Sequence, residues 1–229
     1  MLILGHRGAP RAAQENTLPA FRAALDLGAD GVELDVRRTA DGSLAICHNS
    51  VVPDGRTLLD LRRADLPPEM PLLDAALDVL ATAAIVNIEI KNWPDDTDFD
   101  PTDELAAAVV ALLDERGELG DPRYVVSCFH LPTVDRVHEL APGLPTGWLV
   151  FDAREPEPLI RTTVEHGHTA FHPHVTSITP ELVDLAHAAG LAVNTWTSDD
   201  PDQLRWMQEI GVDGVVTNVP GEALAALGR

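Results

Sequence analysis

Short apolar runs recur along this chain, and the segments between them carry their hydrophobic residues at helical spacing. LILG at 2–5 is followed by a stretch bearing Phe21, Ala24, Leu25 and Leu27 on one face, then by GVELDV at 31–36. The rhythm continues through LAIC at 44–47, AIVNIEI at 84–90, YVVSCF at 124–129, PTGWLVF at 145–151, HTAFH at 168–172, LAVNTWT at 191–197 and DGVVTN at 213–218. Nearly continuous apolar strands alternating with helices belong to a parallel sheet covered by helices. A strand count of about eight in a chain of this length predicts a closed (β/α)8 TIM barrel, whose functional groups gather at the C-terminal strand ends.

Local signals place the elements. Asn16 reads as the N-cap of the first helix, with Pro19 in its first turn and Gly28 at its end. Further helices are expected at 73–83, 104–116, 131–140, 157–166, 181–189 behind Thr179, from Pro201 behind Asp199 or Asp200, and at 221–227. Asp41-Gly42 marks a hairpin-like turn. Residues 50–73, rich in Pro, Asp and Arg, read as a loop excursion, a short insertion after the third strand region. The acidic, proline-broken segment 92–103 is too polar for a core element and is placed over the mouth of the site. The whole chain, 1–229, reads as one α/β barrel domain.

Charge narrows the partners. Thirty-seven Asp and Glu face 16 Lys and Arg, a formal charge of -21. Nucleic acid and anionic membranes need a positive surface, so neither is expected as a partner, and a small molecule is. An anionic substrate must then be received locally, by a metal or a few basic residues. No apolar run reaches the ~18 residues of a membrane span, and MLILG is too short for a secretory h-region. Cys47 and Cys128 read as buried free thiols, which fits a reducing, cytoplasmic setting. The first strand is not followed by GxGxxG, and no GxxxxGK[ST] loop occurs, so nucleotide-binding folds lose their support.

Chemistry sits at the strand ends. His6 follows the first apolar run and His48 the third; Glu33 and Asp35 alternate within GVELDV, and Glu89 and Lys91 within IEIK. An i, i+2 pair on a strand shares one side, so each pair projects opposite its apolar neighbours. Three carboxylates converging at a barrel rim repel unless protonated or bridged by a cation, and Mg2+ or Ca2+ prefers such oxygen ligands. Salt bridging to Lys91 is the structural alternative. His6 and His48 are candidates for an acid–base pair, with hydrogen-bonded structural roles as the alternative. Arg7 can fork onto an oxyanion and Lys91 can supply a point charge. His172 and His174, in FHPH, lie near a strand end within reach of the site, while His138, His166, His168 and His187 read as surface or capping residues.

These motifs together resemble the glycerophosphodiester phosphodiesterase family. The match runs in order through HRG at 6–8, ENT at 15–17, Phe21, GADGVELDV at 28–36, Thr39-x-Asp41-Gly42, His48, EIK at 89–91, Ser127 and Phe129, ITPELV at 178–183, AHAAG at 186–190, Trp196-Thr197 and DGVVTN at 213–218. The resemblance implies a (β/α)8 barrel that hydrolyses glycerophosphodiesters to sn-glycerol 3-phosphate and an alcohol. It implies one divalent cation, Mg2+ or Ca2+ with Mn2+ as a further choice, held by Glu33, Asp35 and Glu89. It makes His6 and His48 the acid–base pair and assigns phosphate contacts to Arg7 and Lys91. Glu15 and Asn16 order the first loop, and Trp196 walls the glycerol or the alcohol; His172 is kept as a substrate contact. In the family mechanism the substrate's glycerol 2-hydroxyl attacks phosphorus, and water then opens the cyclic phosphate.

The chain departs from the family in three places. His48 is followed by Asn49 where the family has aspartate. Trp196-Thr197 continues as Ser198-Asp199, not Val-Asn, and the insertion after His48 is short. Two other functions compete: hydrolysis of a different glycerol-phosphate substrate such as a lysophospholipid, and weakly active phosphodiester binding, which Asn49 motivates. No hydrophobic entry surface for lipid is visible in the sequence.

Overall fold

The computed structural model describes residues 1–52 and 54–229. In chain order the elements are β1 (Leu2–His6), α1 (Leu18–Asp26), β2 (Gly31–Arg38), β3 (Leu44–Ile46), α2 (Leu73–Val79), β4 (Ile85–Ile90), α3 (Glu104–Glu115), β5 (Tyr124–Cys128), α4 (Leu131–Leu140), β6 (Thr146–Val150), α5 (Pro156–Glu165), β7 (Ala170–Pro173), α6 (Pro180–Ala188), β8 (Ala192–Trp196), α7 (Pro201–Glu209), β9 (Gly214–Thr217) and α8 (Pro220–Ala226). β1 pairs in parallel with both β2 and β9, and the parallel pairing continues without a break through β8, β7, β6, β5 and β4 back to β2. The sheet therefore closes into the expected (β/α)8 barrel.

The period-2 alternation of β2 divides its side chains between two environments. Val32, Leu34 and Val36 join Phe21 and Ala24 of α1 and Leu73 and Leu77 of α2 in one buried core between sheet and helices. Glu33, Asp35 and Arg37 take the opposite side, into the barrel. A second core on the far side gathers Ile3, Phe171 and Val193 with Leu182, Leu204 and Met207. Each such aliphatic or aromatic side chain, once buried, stabilises the fold by about 1.5–3 kcal/mol.

Several sequence expectations are corrected. LAIC is not a barrel strand: β3 runs antiparallel to β2, with Val36 opposite Ile46. Two strands joined by the tight 39–42 turn can only be antiparallel, since a parallel return needs a crossover. His48 thus reaches the site from a hairpin outside the barrel. The N-cap of α1 is Thr17, whose hydroxyl accepts from the Ala20 N–H, not Asn16. Asp200, not Asp199, caps α7. Helix α2 stops at Val79, short of the expected end. The insertion is more than a loop: it contains two 3-10 turns, Leu58–Asp60 and Arg63–Asp65, and Val52, Leu58 and Leu61 form a small core of their own with Ala45 of β3.

Gly8 has a specific steric task. Its φ is +93°, and an added Cβ would lie 2.6 Å from the carbonyl carbon of Ala20, so only glycine lets this loop press against α1. Among the described residues, no helix is long and apolar enough to cross a membrane. Cys128 is buried and Cys47 half-buried, both as free thiols.

Candidate active site

Strand register assembles the carboxylates. His6 stands opposite Glu33 across the β1–β2 pair, and Asp35 opposite Glu89 across β2–β4. One carboxylate oxygen from each of Glu33, Asp35 and Glu89 lies within 4.8 Å of the other two, and all three side chains are buried. Among the described residues, Glu33 Oε1 has no hydrogen-bond partner. Two cations border the trio. Lys91, the only lysine in the chain, places Nζ 2.6 Å from Glu89 Oε1 and 3.6 Å from Asp35 Oδ1. Arg7 places Nε 3.0 Å from Asp35 Oδ2, an ion pair without hydrogen-bond alignment, and its Nη1 donates to Glu15 Oε1 at 2.8 Å.

The loop around Arg7 is tightly specified. Arg7 adopts a left-handed φ of 55°, and its main-chain N–H donates to both the Glu33 carbonyl (2.8 Å) and Glu33 Oε2 (3.0 Å). Asn16, also at positive φ, donates from Nδ2 to Asp35 Oδ2 at 2.8 Å. Such backbone costs of order 1 kcal/mol per residue and persists where surrounding contacts impose it. Asn16 is therefore a carboxylate-orienting residue, which explains why Thr17, one position on, takes the cap.

The electrostatics of the trio call for a cation. Burial pushes the Glu33 carboxyl well above the usual range, and the charges of Asp35 and Glu89 add to the rise. Burial also raises Glu89, against the pull of Lys91. Asp35 goes the other way: burial opposes its charge, but Lys91 and Arg7 outweigh it and hold its pKa low. An all-oxygen donor set with one orphaned oxygen and two carboxylates reluctant to ionise fits a hard divalent ion.

The two imidazoles flank this centre. His6 Nδ1 lies 2.7 Å from Asn218 Oδ1, and Asn218 Nδ2 donates to Asp199 Oδ2 at 3.0 Å. Asp199 only accepts, so the amide turns its oxygen to His6; Nδ1 must then carry the proton, leaving Nε2 a bare acceptor. His48 Nδ1 lies 2.9 Å from Asn49 Oδ1. Burial lowers both histidine pKa values; Arg7 adds to this at His6, while Asp35 partly offsets it at His48.

One buried cation was not foreseen as part of the site. Arg37 Nε donates to the His48 carbonyl at 2.8 Å, while its two terminal nitrogens hold Asp96 (2.8 Å) and Asp98 (2.5 Å) of the acidic loop. The 92–103 segment does reach the mouth, through Trp93 and Asp96, yet Asn92 and Asp98 within it are buried. The signal in the sequence was Arg37 itself, third in the i, i+2 series Glu33, Asp35, Arg37 and so on the same inward side.

A cleft of about 640 Å³ opens above the trio and brings together His6, Arg7, His48, Glu89, Lys91 and Trp196. Glu33 and His172 do not line it; they border a smaller cavity of about 30 Å³ beneath, with Asn87 and Asn194. His172 is fully buried, bonded through Nε2 to Asn194 at 3.0 Å, and burial pushes its pKa down to about 4. His174 instead packs edge-on against Trp196. One wall of the cleft is aromatic: Phe129 and Phe151 stack at 4.2 Å, with Trp93 and Trp196 edge-on to both. Trp93 is 40% and Phe151 58% exposed. This corrects the expectation of no hydrophobic entry surface; Phe151 follows β6, the strand paired with the β5 that leads to Phe129, and Trp196 ends β8.

A carboxylate trio, two imidazoles and two cations stand together at the C-terminal rim of a closed (β/α)8 barrel, a set suited to phosphate-ester hydrolysis. The Glycerophosphoryl diester phosphodiesterase family matches residues 6–222, and the chain belongs to it. A glycerophosphodiester phosphodiesterase of Bacillus altitudinis is 30% identical over 97% of this chain and 96% of its own. The structure of glycerophosphodiester phosphodiesterase from Thermotoga maritima superposes with a TM-score of 0.83 at 25% identity, over 100% of this chain and 98% of that one. An Oleispira antarctica phosphodiesterase, solved in complex with the product sn-glycerol-3-phosphate, shares the fold with a TM-score of 0.89 at 22% identity, over 100% of this chain and 97% of that one. The chain is thus a phosphodiesterase of the glycerophosphodiester class.

Proposed function

We propose that this enzyme hydrolyses glycerophosphodiesters to sn-glycerol 3-phosphate and an alcohol by acid–base catalysis between His6 and His48. The observation that carries the reading is the convergence of three buried carboxylates, one with an orphaned oxygen, between two imidazoles at the barrel rim. Glu33, Asp35 and Glu89 would hold one divalent cation, Mg2+ or Ca2+ by the hardness of the donors, which would supply Lewis-acid polarisation of the phosphoryl group. Arg7 and Lys91 face the phosphate oxygens and offset their charge.

His6 takes the first proton. Asn218 and Asp199 fix its tautomer, so Nε2 is ready to accept from the glycerol 2-hydroxyl as that oxygen attacks phosphorus. His48 enters as the imidazolium, with Asp35 favouring its charge, and donates to the departing alkoxide. The roles then reverse: His48 deprotonates water, and His6 returns its proton to the 2-oxygen as the cyclic phosphate opens. The aromatic wall of Trp93, Phe129, Phe151 and Trp196 receives the alcohol. Its exposed apolar area suits an uncharged or hydrophobic leaving alcohol or, with the substrate turned round, the acyl chain carried on the glycerol of a lysophospholipid, which is the second substrate class.

The test is release of sn-glycerol 3-phosphate from glycerophosphodiesters, and of the acylated glycerol phosphate from lysophospholipids, by chelator-stripped protein with Mg2+, Ca2+ or Mn2+ restored singly. Cation-dependent release is expected, with a diester lacking the 2-hydroxyl left intact. Turnover of that analogue would overturn the internal attack, and release without any cation would overturn the metal site.

A further inference from the structure

Three ligand-type side chains converge at the other end of the barrel. Asp135 lies on α4, His166 caps the end of α5, and His168 lies two residues before β7. These segments lead into the N-terminal ends of the strands, away from the cleft. One ligand atom from each residue lies within 4.8 Å of the other two. Asp135 Oδ1 sits 2.8 Å from His166 Nδ1 and 3.1 Å from His168 Nε2. His168 is fully buried, against its expected surface or capping role, while Asp135 and His166 keep contact with solvent.

The donors are held in place from behind. His168 Nδ1 lies 3.0 Å from the hydroxyl of Thr146, which is itself fully buried. A hydroxyl can accept from Nδ1–H or donate to Nδ1. In the first state His168 turns a bare Nε2 lone pair toward a carboxylate oxygen 3.1 Å away, two acceptors face to face. A cation between them removes that conflict, and the Thr146 bond is the outer contact that orients a metal-bound imidazole. Burial, which keeps the His168 pKa below the ordinary value, also favours the neutral ring that a metal requires.

We propose that Asp135, His166 and His168 form a second metal site, selective for a borderline transition ion such as Zn2+. Two imidazole nitrogens and one carboxylate suit Zn2+ and its neighbours, whereas the all-oxygen trio at the rim suits Mg2+ or Ca2+. The ion joins α4 to the turn between α5 and β7, segments that otherwise meet through side chains alone, and leaves a coordination position open to water. The chain thereby sorts hard and borderline ions to opposite ends of one barrel.

Equilibrium dialysis of the full, chelator-stripped chain against Zn2+ in excess Mg2+ tests this. Wild type should retain one Zn2+ more than His166→Ala, a partly exposed position whose replacement should leave phosphodiesterase turnover and circular dichroism unchanged. Thr146→Val, which removes only the orienting hydroxyl, should weaken that Zn2+ by about tenfold or more. Equal Zn2+ content in wild type and His166→Ala would overturn the site. Paramagnetic Co2+ added to wild type gives a check independent of any variant: a strongly shifted imidazole N–H resonance from the buried His168 Nδ1 is expected, and its absence would overturn the proposal.

Discussion

His6 and His48 bring the same side chain to the same cleft from two different kinds of support. His6 ends a barrel strand and is backed by Asn218 and then by the charged Asp199. His48 hangs from a hairpin outside the barrel, backed only by its neutral neighbour Asn49, and its carbonyl is anchored by Arg37. One imidazole is positioned at the end of a barrel strand, the other by an ionic clasp in which Arg37 of β2 ties the His48 loop to the acidic loop. A barrel can thus hold a fixed base on its frame and bring the matching group in on an appendage.

The bluntest way to break this comparison is to remove each ring. His6→Ala and His48→Ala should each lower kcat by about 10²–10⁴ with unchanged circular dichroism. Full activity in either variant would end the paired assignment. His172 extends the comparison to complete burial, on β7. Its folded pKa of about 4 lies below the ordinary value of 6.5, so the folded state refuses a proton that the unfolded chain accepts. The stability it contributes is intact above pH ~6.5 and falls by about 3 kcal/mol as the pH drops to ~4. Across that range the stability of wild type should fall by about this much more than that of His172→Gln, and parallel pH profiles of stability would contradict it.

Arg37→Met should lower kcat by about 100-fold through displacement of His48. Divalent-ion affinity, measured by calorimetry, should stay unchanged, because Arg37 contacts none of the three carboxylates at the rim. A loss of ion affinity instead would move Arg37 into the metal centre. The smallest effect sharpens the contrast in charge. Asn49→Asp places a carboxylate beside His48 and should raise its pKa by about one unit in an NMR titration of the metal-free protein. No upward shift would mean that residue 49 does not govern the His48 charge.

Much of the architecture was legible because it depends on short-range pattern. The alternation in GVELDV placed Glu33 and Asp35 inside and Val32, Leu34 and Val36 outside, as the structure has them. The Asp41-Gly42 turn fixes the sense of β3, since a hairpin rules out a parallel strand, and counting LAIC among the barrel strands overlooks this. Asn16 and Thr17 are both good caps, and only the distant Asp35 decides between them. Phe151 and His168 are opaque for a related reason: their partners lie on other strands and helices, and no local pattern announces which side chains neighbouring elements bring together.

The hairpin and its insertion form a satellite around Val52, Leu58 and Leu61, a far smaller apolar cluster than either barrel core. Regions with few buried contacts open at lower free energy than the global fold. Opening this satellite separates His48 from His6 while every barrel strand stays paired. Heat should therefore silence the enzyme before it denatures it, with activity disappearing reversibly at temperatures where the far-ultraviolet signal is still native.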